Sequence, residues 1–186
     1  MSTLREFLVH KREHLLAVEE QQAKDPGAGP KLLSAKVTAE GRSGVRRIRI
    51  RDFQVLSDSG PELAGFDLGP TSPELQLGVL GSCLTHVYEI QAALAEIPID
   101  SLSVEVSGQI EPRSGKPGFE NVPRQPHALA FTVHLESPAS GEQLRALHQR
   151  VEEVCPILNL LTRPQSITGK VINRGETVVD GSARAQ

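Results

Sequence analysis

Apolar residues recur along this chain with two periods, one typical of helices and the other typical of strands. The first helical pattern covers residues 3 to about 23, where Thr3 and Glu6 form a capping box at the start. The apolar face of this predicted helix carries Leu4, Phe7, Leu8, Leu15 and Val18. The opposite face is charged and is expected to contact water. Residues 24–30, rich in Gly and Pro, follow as a linker.

The second helical pattern begins at Thr71 and ends before Pro98, and the rest of the chain is organised around it. Thr71 and Glu74 form a capping box, and the first turn tolerates Pro73 because a proline there loses no intrahelical hydrogen bond. Apolar residues occupy more than one face of this helix, which indicates that it is buried. Because one domain leaves part of such a helix uncovered, we expect a homodimer to cover it.

Strand patterns flank the central helix on both sides. Upstream, residues 31 to about 55 predict strands around a Gly-Arg-Ser-Gly turn, with Ile48 and Ile50 facing the core and arginines on the solvated face. Downstream, the pattern predicts strands over 102–110 and 129–135, a helix over 142–154, a short helix over 157–161 and a last strand over 166–172. This order favours an α+β domain in which antiparallel sheets pack on helices.

Composition divides the chain into three parts and restricts its function. Residues 1–30 form an N-terminal helix and linker, residues 31–180 the main domain, and residues 181–186 a polar tail expected to be disordered. The net charge of −3 argues against a nucleic-acid partner, and no apolar run has the length of a membrane span. Since the N-terminus lacks the apolar core of a secretory signal, we expect a cytoplasmic location and reduced cysteines.

The only two cysteines, Cys83 and Cys155, carry the candidate chemistry. An ordinary thiol is mostly protonated near neutral pH, so a reactive cysteine needs a lowered pKa. Cys155 precedes Pro156 at a predicted helix start, where N–H groups without helical partners stabilise an anion. Cys83 lies in mid-helix and needs help from elsewhere, with Arg42 of the turn and His86 one helical turn away as candidates. The residues alone leave open whether either thiol is reactive or packed in the core.

Three blocks of residues, taken in order, resemble the osmotically inducible protein C / organic hydroperoxide resistance (OsmC/Ohr) family. The resemblance covers about residues 31–173. Its blocks are Thr71-Ser-Pro-Glu-Leu to Leu80-Gly-Ser-Cys83, Ile99 to Leu102-Ser-Val-Glu-Val-Ser-Gly108, and Leu147-His to Val154-Cys-Pro-Ile-Leu-Asn159. The resemblance implies an intertwined homodimer in which antiparallel sheets from both chains wrap two long central helices. It also implies a thiol-dependent peroxidase that reduces organic hydroperoxides.

The resemblance further implies roles for four residues. Cys83 would attack the hydroperoxide and become a sulfenic acid, and Cys155 would condense with it to a disulfide that an external dithiol reduces. Arg42 and Glu74 match the arginine and glutamate that the family places beside its reactive thiol. No cofactor and no metal are implied. Nine steps of about 100° place Glu74 opposite Cys83 on a regular helix, so Glu74 serves in the chemistry only if the helix start is bent.

Two other classes of function stay open at the level of sequence. A non-catalytic dimer of the same fold would bind an apolar ligand between its subunits, and both thiols would then react slowly. Alternatively, Cys83 and a histidine such as His86 would form a Cys–His hydrolase. A metal site built from Cys83, His86 and Cys155 is not favoured, because no Cys-x-x-Cys spacing supports it.

Overall fold

The computed structural model describes residues 3–25, 27 and 29–183. The described elements are α1 (Leu4–Lys24), β1 (Lys36–Glu40), β2 (Val45–Ile50), β3 (Phe53–Ser57), a single 3₁₀ turn (Pro61–Leu63), α2 (Ser72–Leu94), β4 (Ser101–Gln109), β5 (His127–Glu136), α3 (Gly141–Val154), α4 (Pro156–Thr162), β6 (Ile167–Asn173) and β7 (Glu176–Ala183). The strands form three antiparallel sheets, ordered β1-β2-β3, β4-β5 and β6-β7. The predicted α+β class with antiparallel sheets is confirmed.

The core lies where α2 meets α1, α3 and the β4-β5 sheet. Residues three and four apart on α2 turn one face inward, and this face includes Leu80, Leu84, Val87 and Tyr88. Gly81 lies on the same face, and a Cβ there would be 3.3 Å from the Val106 side chain of β4. The small residue therefore allows helix and sheet to approach closely. The predicted central helix and its Thr71–Glu74 capping box are confirmed.

Helix α1 packs along the C-terminal half of α2. It begins with the predicted Thr3–Glu6 capping box, and Leu8 is buried against the core. Ion pairs fix the position of the helix, and they join Arg5 to Asp100, Lys11 to Glu89 and Arg12 to Glu96. Two residues of the predicted apolar stripe, Phe7 and Val18, are exposed, because the contact with α2 covers a narrower stripe than the pattern suggests.

The first sheet differs from its prediction in three respects. Strand β1 begins at Lys36 and not near residue 31, and a third strand, β3, pairs with β2. Ile50 was expected in the core and is 44% exposed, whereas Val45 at the other end of β2 is buried. The reason is that the chain covers only the end of the sheet that is nearest to the loop leading into α2.

The C-terminal residues also differ from their prediction. The expected last strand is present as β6, but residues 176–183 form a further strand, β7, so residues 181–183 do not belong to a disordered tail. Residues 184–186 of that predicted tail lie outside the described residues. A two-residue turn, Arg174–Gly175, joins β6 to β7, and both residues have positive φ. This is the geometry that tight hairpin turns require, and Gly175 was its signal in the sequence.

Candidate thiol site

The structure brings the two cysteines together. Cys83 lies on α2. Cys155 is both the C-cap residue of α3 and the N-cap residue of α4. Their sulfur atoms are 3.6 Å apart, and both thiols are free. Cys155 is fully buried, whereas Cys83 is partly exposed. An external molecule can therefore reach Cys83 first.

The position of Cys155 follows from the residue after it. Pro156 has no N–H to donate, so the hydrogen-bond ladder of α3 ends there, and proline is well tolerated in the first turn of α4. The backbone of Cys155 is held from both sides, since its N–H donates to the carbonyl of Val151 at 2.9 Å and its carbonyl accepts from the N–H of Asn159 at 3.0 Å. The break between the two helices thus holds the second sulfur against α2.

The electrostatics of Cys83 combine opposing effects. Burial raises the pKa of the Cys83 thiol, and the neighbouring Cys155 raises it further. The backbone N–H of Ile157, in the first turn of α4, donates a hydrogen bond to the Cys83 sulfur and acts to lower that pKa. The helix start that was expected to assist Cys155 thus assists Cys83, because its N–H groups point across to α2.

The two other predicted site residues do not contact Cys83 within the described chain. Arg42 is exposed in the turn between β1 and β2, and it is not among the groups that shift the pKa of Cys83. The Glu74 carboxylate accepts hydrogen bonds from the N–H of Thr71 at 2.7 Å and from the Thr71 hydroxyl at 2.8 Å. These bonds lower the pKa of Glu74. In this structure Glu74 acts as a helix cap.

Cys83 opens into a surface depression of about 420 Å³. The lining is mostly apolar and comprises Leu75, Gly78, Val79, Ser82, Cys83, His86 and Ile157. Glu74 lines a different cavity, of about 810 Å³, between the start of α2 and the β4–β5 loop. The two residues therefore lie on different sides of α2, as the helical angle between them predicts.

A lysine that the sequence did not single out lies close to this depression. The Lys11 ammonium of α1 is 2.9 Å from a carboxylate oxygen of Glu89 and 3.4 Å from Nδ1 of His86. His86 lines the depression together with Cys83. No sequence signal predicts this contact, because it depends on how two helices far apart in the chain pack side by side.

Within residues 3–25, 27 and 29–183, no three His, Cys, Asp or Glu side chains are arranged to hold a metal ion. None of the helices in this part of the chain combines the length and the apolar character needed to cross a bilayer.

The model of the family described as OsmC-like protein matches residues 65–170 of this chain. The chain belongs to the OsmC-like family. The matched segment runs from the loop before α2 into β6 and includes both cysteines. It does not extend over α1 or the first sheet.

Solved structures share the OsmC fold with this chain. An OsmC-like protein from Mycoplasma pneumoniae matches with a TM-score of 0.62 and 17% identity, covering 72% of this chain and 89% of that one. An OsmC-like protein of unknown function from Vibrio cholerae matches with a TM-score of 0.54 and 17% identity, covering 70% and 94%. The organic hydroperoxide resistance protein OsmC from Legionella pneumophila gives 0.51 and 17%, covering 72% and 91%. No curated protein matches the chain.

Proposed function

We propose that this protein is a thiol-dependent peroxidase that reduces organic hydroperoxides, with Cys83 as the attacking thiol and Cys155 as the resolving thiol. The observation that carries the proposal is the 3.6 Å distance between the two sulfurs. Membership of the OsmC-like family, and the likeness to an organic hydroperoxide resistance protein, support a role in redox chemistry or peroxide resistance.

The first step is a two-electron transfer from sulfur to the peroxide. The Cys83 thiolate attacks the terminal oxygen of the hydroperoxide, so that an S–O bond forms and the O–O bond breaks. The leaving alkoxide takes a proton and departs as the alcohol. Cys83 is left as a sulfenic acid, oxidised by two electrons.

The second step uses the other thiol. Cys155 attacks the sulfenic sulfur of Cys83, a disulfide forms and water leaves. An external dithiol then reduces this disulfide by two thiol–disulfide exchanges and restores both cysteines. The electrons come from thiols alone, so the proposed cycle uses no cofactor and no metal.

Exposure and hydrogen bonding support Cys83 as the attacking thiol and Cys155 as the resolving thiol. Cys83 faces the depression, whereas Cys155 is fully buried behind it. The N–H of Ile157 is directed at the Cys83 sulfur, where it would stabilise the thiolate. Apolar walls around Cys83 suit the organic part of a hydroperoxide.

We propose that two copies of the chain form the working unit. A two-stranded hairpin is marginal by itself in water, yet β6-β7 and the first sheet expose many large apolar side chains. These include Val37, Ile50, Phe53 and Val55 of the first sheet, and Ile167, Val171, Ile172, Val178 and Val179 of the hairpin. A second copy would cover them. In such a dimer Arg42 would act on the thiol of the other copy, since within one chain it does not contact Cys83.

The test is a count of free thiols before and after one equivalent of cumene hydroperoxide, on the wild type and two variants. We expect the wild type to lose both thiols rapidly and Cys83→Ser to keep its remaining thiol. Cys155→Ser should lose one thiol and yield a sulfenic acid that dimedone traps. Oxidation of the wild type no faster than that of free cysteine would overturn the proposal.

A non-catalytic dimer that binds an apolar ligand is the second candidate. The observation in its favour is that burial raises the pKa of Cys83, which disfavours the thiolate. Slow alkylation of both cysteines by iodoacetamide would support this candidate. The Cys–His hydrolase stays a prediction without a supporting contact, since Cys83 is hydrogen-bonded to Cys155 and to the N–H of Ile157 in the described chain.

A further inference from the structure

The side chain of Asn159 ties the start of α4 to the end of α3. Its Nδ2 donates to the carbonyl of Cys155 at 2.8 Å, to that of Glu152 at 3.2 Å and to that of Glu153 at 3.3 Å. The amide has two N–H groups for these three acceptors, so one N–H is shared between two carbonyls. A single half-buried side chain therefore joins the two helices across the break between them.

Two of these carbonyls lose their usual donors at the break. In a continuous helix each carbonyl accepts from the N–H four residues later. The partner of Glu152 would be Pro156, which has no N–H, and the partner of Glu153 would be Ile157. The N–H of Ile157 is instead directed at the Cys83 sulfur. The Asn159 amide therefore replaces the donor that the proline lacks and the donor that the thiol site uses.

The junction between α3 and α4 supplies the groups that contact the sulfur of Cys83. These are the Cys155 sulfur, 3.6 Å away, and the N–H of Ile157. Cys155 itself has an extended backbone, with φ −67° and ψ 112°, so no continuous helical ladder fixes the angle between the two helices. Apolar contacts of Ile157 and Leu158 hold α4 against the core. The Asn159 bonds add direction, because hydrogen bonds weaken steeply when their geometry is lost.

We propose that Asn159 is a positioning residue, which fixes the α3–α4 junction so that the Cys155 sulfur stays within reach of Cys83. Its bonds to three carbonyls hold the backbone of the junction, and the sulfur follows that backbone. Holding two reacting groups in place raises the effective concentration of one at the other. The role in resolving a sulfenic acid rests on the proposed peroxidase function, whereas the closing of a disulfide between the two sulfurs requires no peroxide.

The test measures the equilibrium of the reduced protein with oxidised glutathione. Two electrons pass from the two thiols to glutathione, the Cys83–Cys155 bond forms and two molecules of reduced glutathione leave. We expect Asn159→Leu, which is similar in shape but has no donor, to lower the equilibrium constant about threefold to tenfold. Asn159→Ala should act alike, since alanine favours the helix and removes only the amide. A change that destabilises the reduced and oxidised proteins equally leaves this constant unchanged, so the constant separates positioning from stability.

Thr162→Val is the matched control on the same helix. The Thr162 hydroxyl donates to the carbonyl of Leu158 at 2.9 Å, so this bond from a side chain to a carbonyl stays within α4. We expect the glutathione equilibrium of this variant to follow that of the wild type. An equal fall in Thr162→Val and Asn159→Leu would overturn the proposal, because the effect would then come from weakening of α4. An unchanged constant in both Asn159 variants, with the helix content intact by circular dichroism, would overturn it as well.

These outcomes are separate from failure of the peroxidase function. The glutathione equilibrium involves no hydroperoxide, so a lowered constant in the Asn159 variants, combined with slow oxidation of the wild type by cumene hydroperoxide, would leave the positioning role intact and reject the peroxidase. Rapid oxidation of the wild type combined with an unchanged constant in the variants would do the reverse. If both proposals hold, Asn159→Leu treated with cumene hydroperoxide should give more dimedone-labelled Cys83 than the wild type, because the resolving step is slower.

Discussion

Two valines, one on β4 and one on β6, have very different surroundings in two parts of this molecule. Val104 packs against α2 and joins the core, whereas Val171 on the C-terminal hairpin is 52% exposed. Both strands belong to antiparallel pairs. The difference is that helix α2 of the same chain covers one face of the β4-β5 sheet, whereas the β6-β7 hairpin is exposed throughout its described strand β6.

The two regions therefore differ in how far a single chain covers their apolar residues. The region around α2 contains a closed core and both sulfurs, so one chain suffices to bring the thiols together. The hairpin and the first sheet carry apolar residues without cover, and Arg42 belongs to that first sheet's turn. We therefore expect the thiol chemistry to require only one chain, and a second copy to modulate it.

The largest expected effect is in the core. Leu84→Ala removes a fully buried side chain on the inner face of α2 and leaves a cavity. We expect the free energy of unfolding to fall by about 2–5 kcal/mol, measured by denaturant titration. The control is Val18→Ala on the exposed face of α1, where the change should stay within about 0.5 kcal/mol. A loss as small as the control's would mean that the face of α2 around Leu84 is not packed as described.

Tyr88, the only tyrosine of the chain, reports on the same core. Burial, and then the negative charge of Glu152, raise the pKa of Tyr88 to about 12. Because the raised value favours the protonated phenol, its stabilising effect is present below about pH 10 and is lost as the pH rises toward about 12. The absorbance of the phenolate should show this midpoint directly, and Tyr88→Phe should remove that part of the alkaline loss of stability. A midpoint at the ordinary tyrosine value in the folded protein would contradict the buried position.

Local signals made part of this fold predictable. The capping boxes at Thr3 and Thr71 depend on residues three apart, so they are visible in the sequence and are confirmed in the structure. The alternation in β4 and β5 is likewise local. By contrast, β7 lacked a prediction although Gly175 marks its turn, because its pattern of apolar residues is short and interrupted by Asp180 and Gly181.

The site was less predictable than the fold. The nearness of Cys83 and Cys155 was implied by resemblance to a family, since spacing alone does not bring two helices together. The N–H of Ile157 and the ammonium of Lys11 could not be predicted, because each depends on the position of one helix beside another. Contacts of this kind leave no periodic trace in a single sequence.

Two valines of equal exposure test whether the β6-β7 hairpin is a dimer surface. Val171 on β6 and Val18 on α1 are both 52% exposed, so they differ in place but not in accessibility. If a second copy covers the hairpin, Val171→Asp should weaken the dimer about tenfold or more, because it buries a charge without a partner. Val18→Asp should leave the assembly unchanged. Sedimentation equilibrium measures both. Equal behaviour of the two variants would reject the hairpin as the dimer surface.

The smallest effect is expected at Glu74, which lies at the border of the two regions. Hydrogen bonds from Thr71 lower the pKa of this carboxyl, so its contribution to stability is present above the ordinary pKa of glutamate and is lost as the pH falls through the lowered value. We therefore expect wild type and Glu74→Gln to differ in thermal stability at neutral pH and to converge in acid. Oxidation of Cys83 by hydroperoxide should be similar in the two proteins, since Glu74 faces a different cavity from the thiol. A large loss of peroxidase rate in Glu74→Gln, with stability unchanged, would instead place this carboxylate at the thiol, and would require the start of α2 to rearrange when the second copy binds.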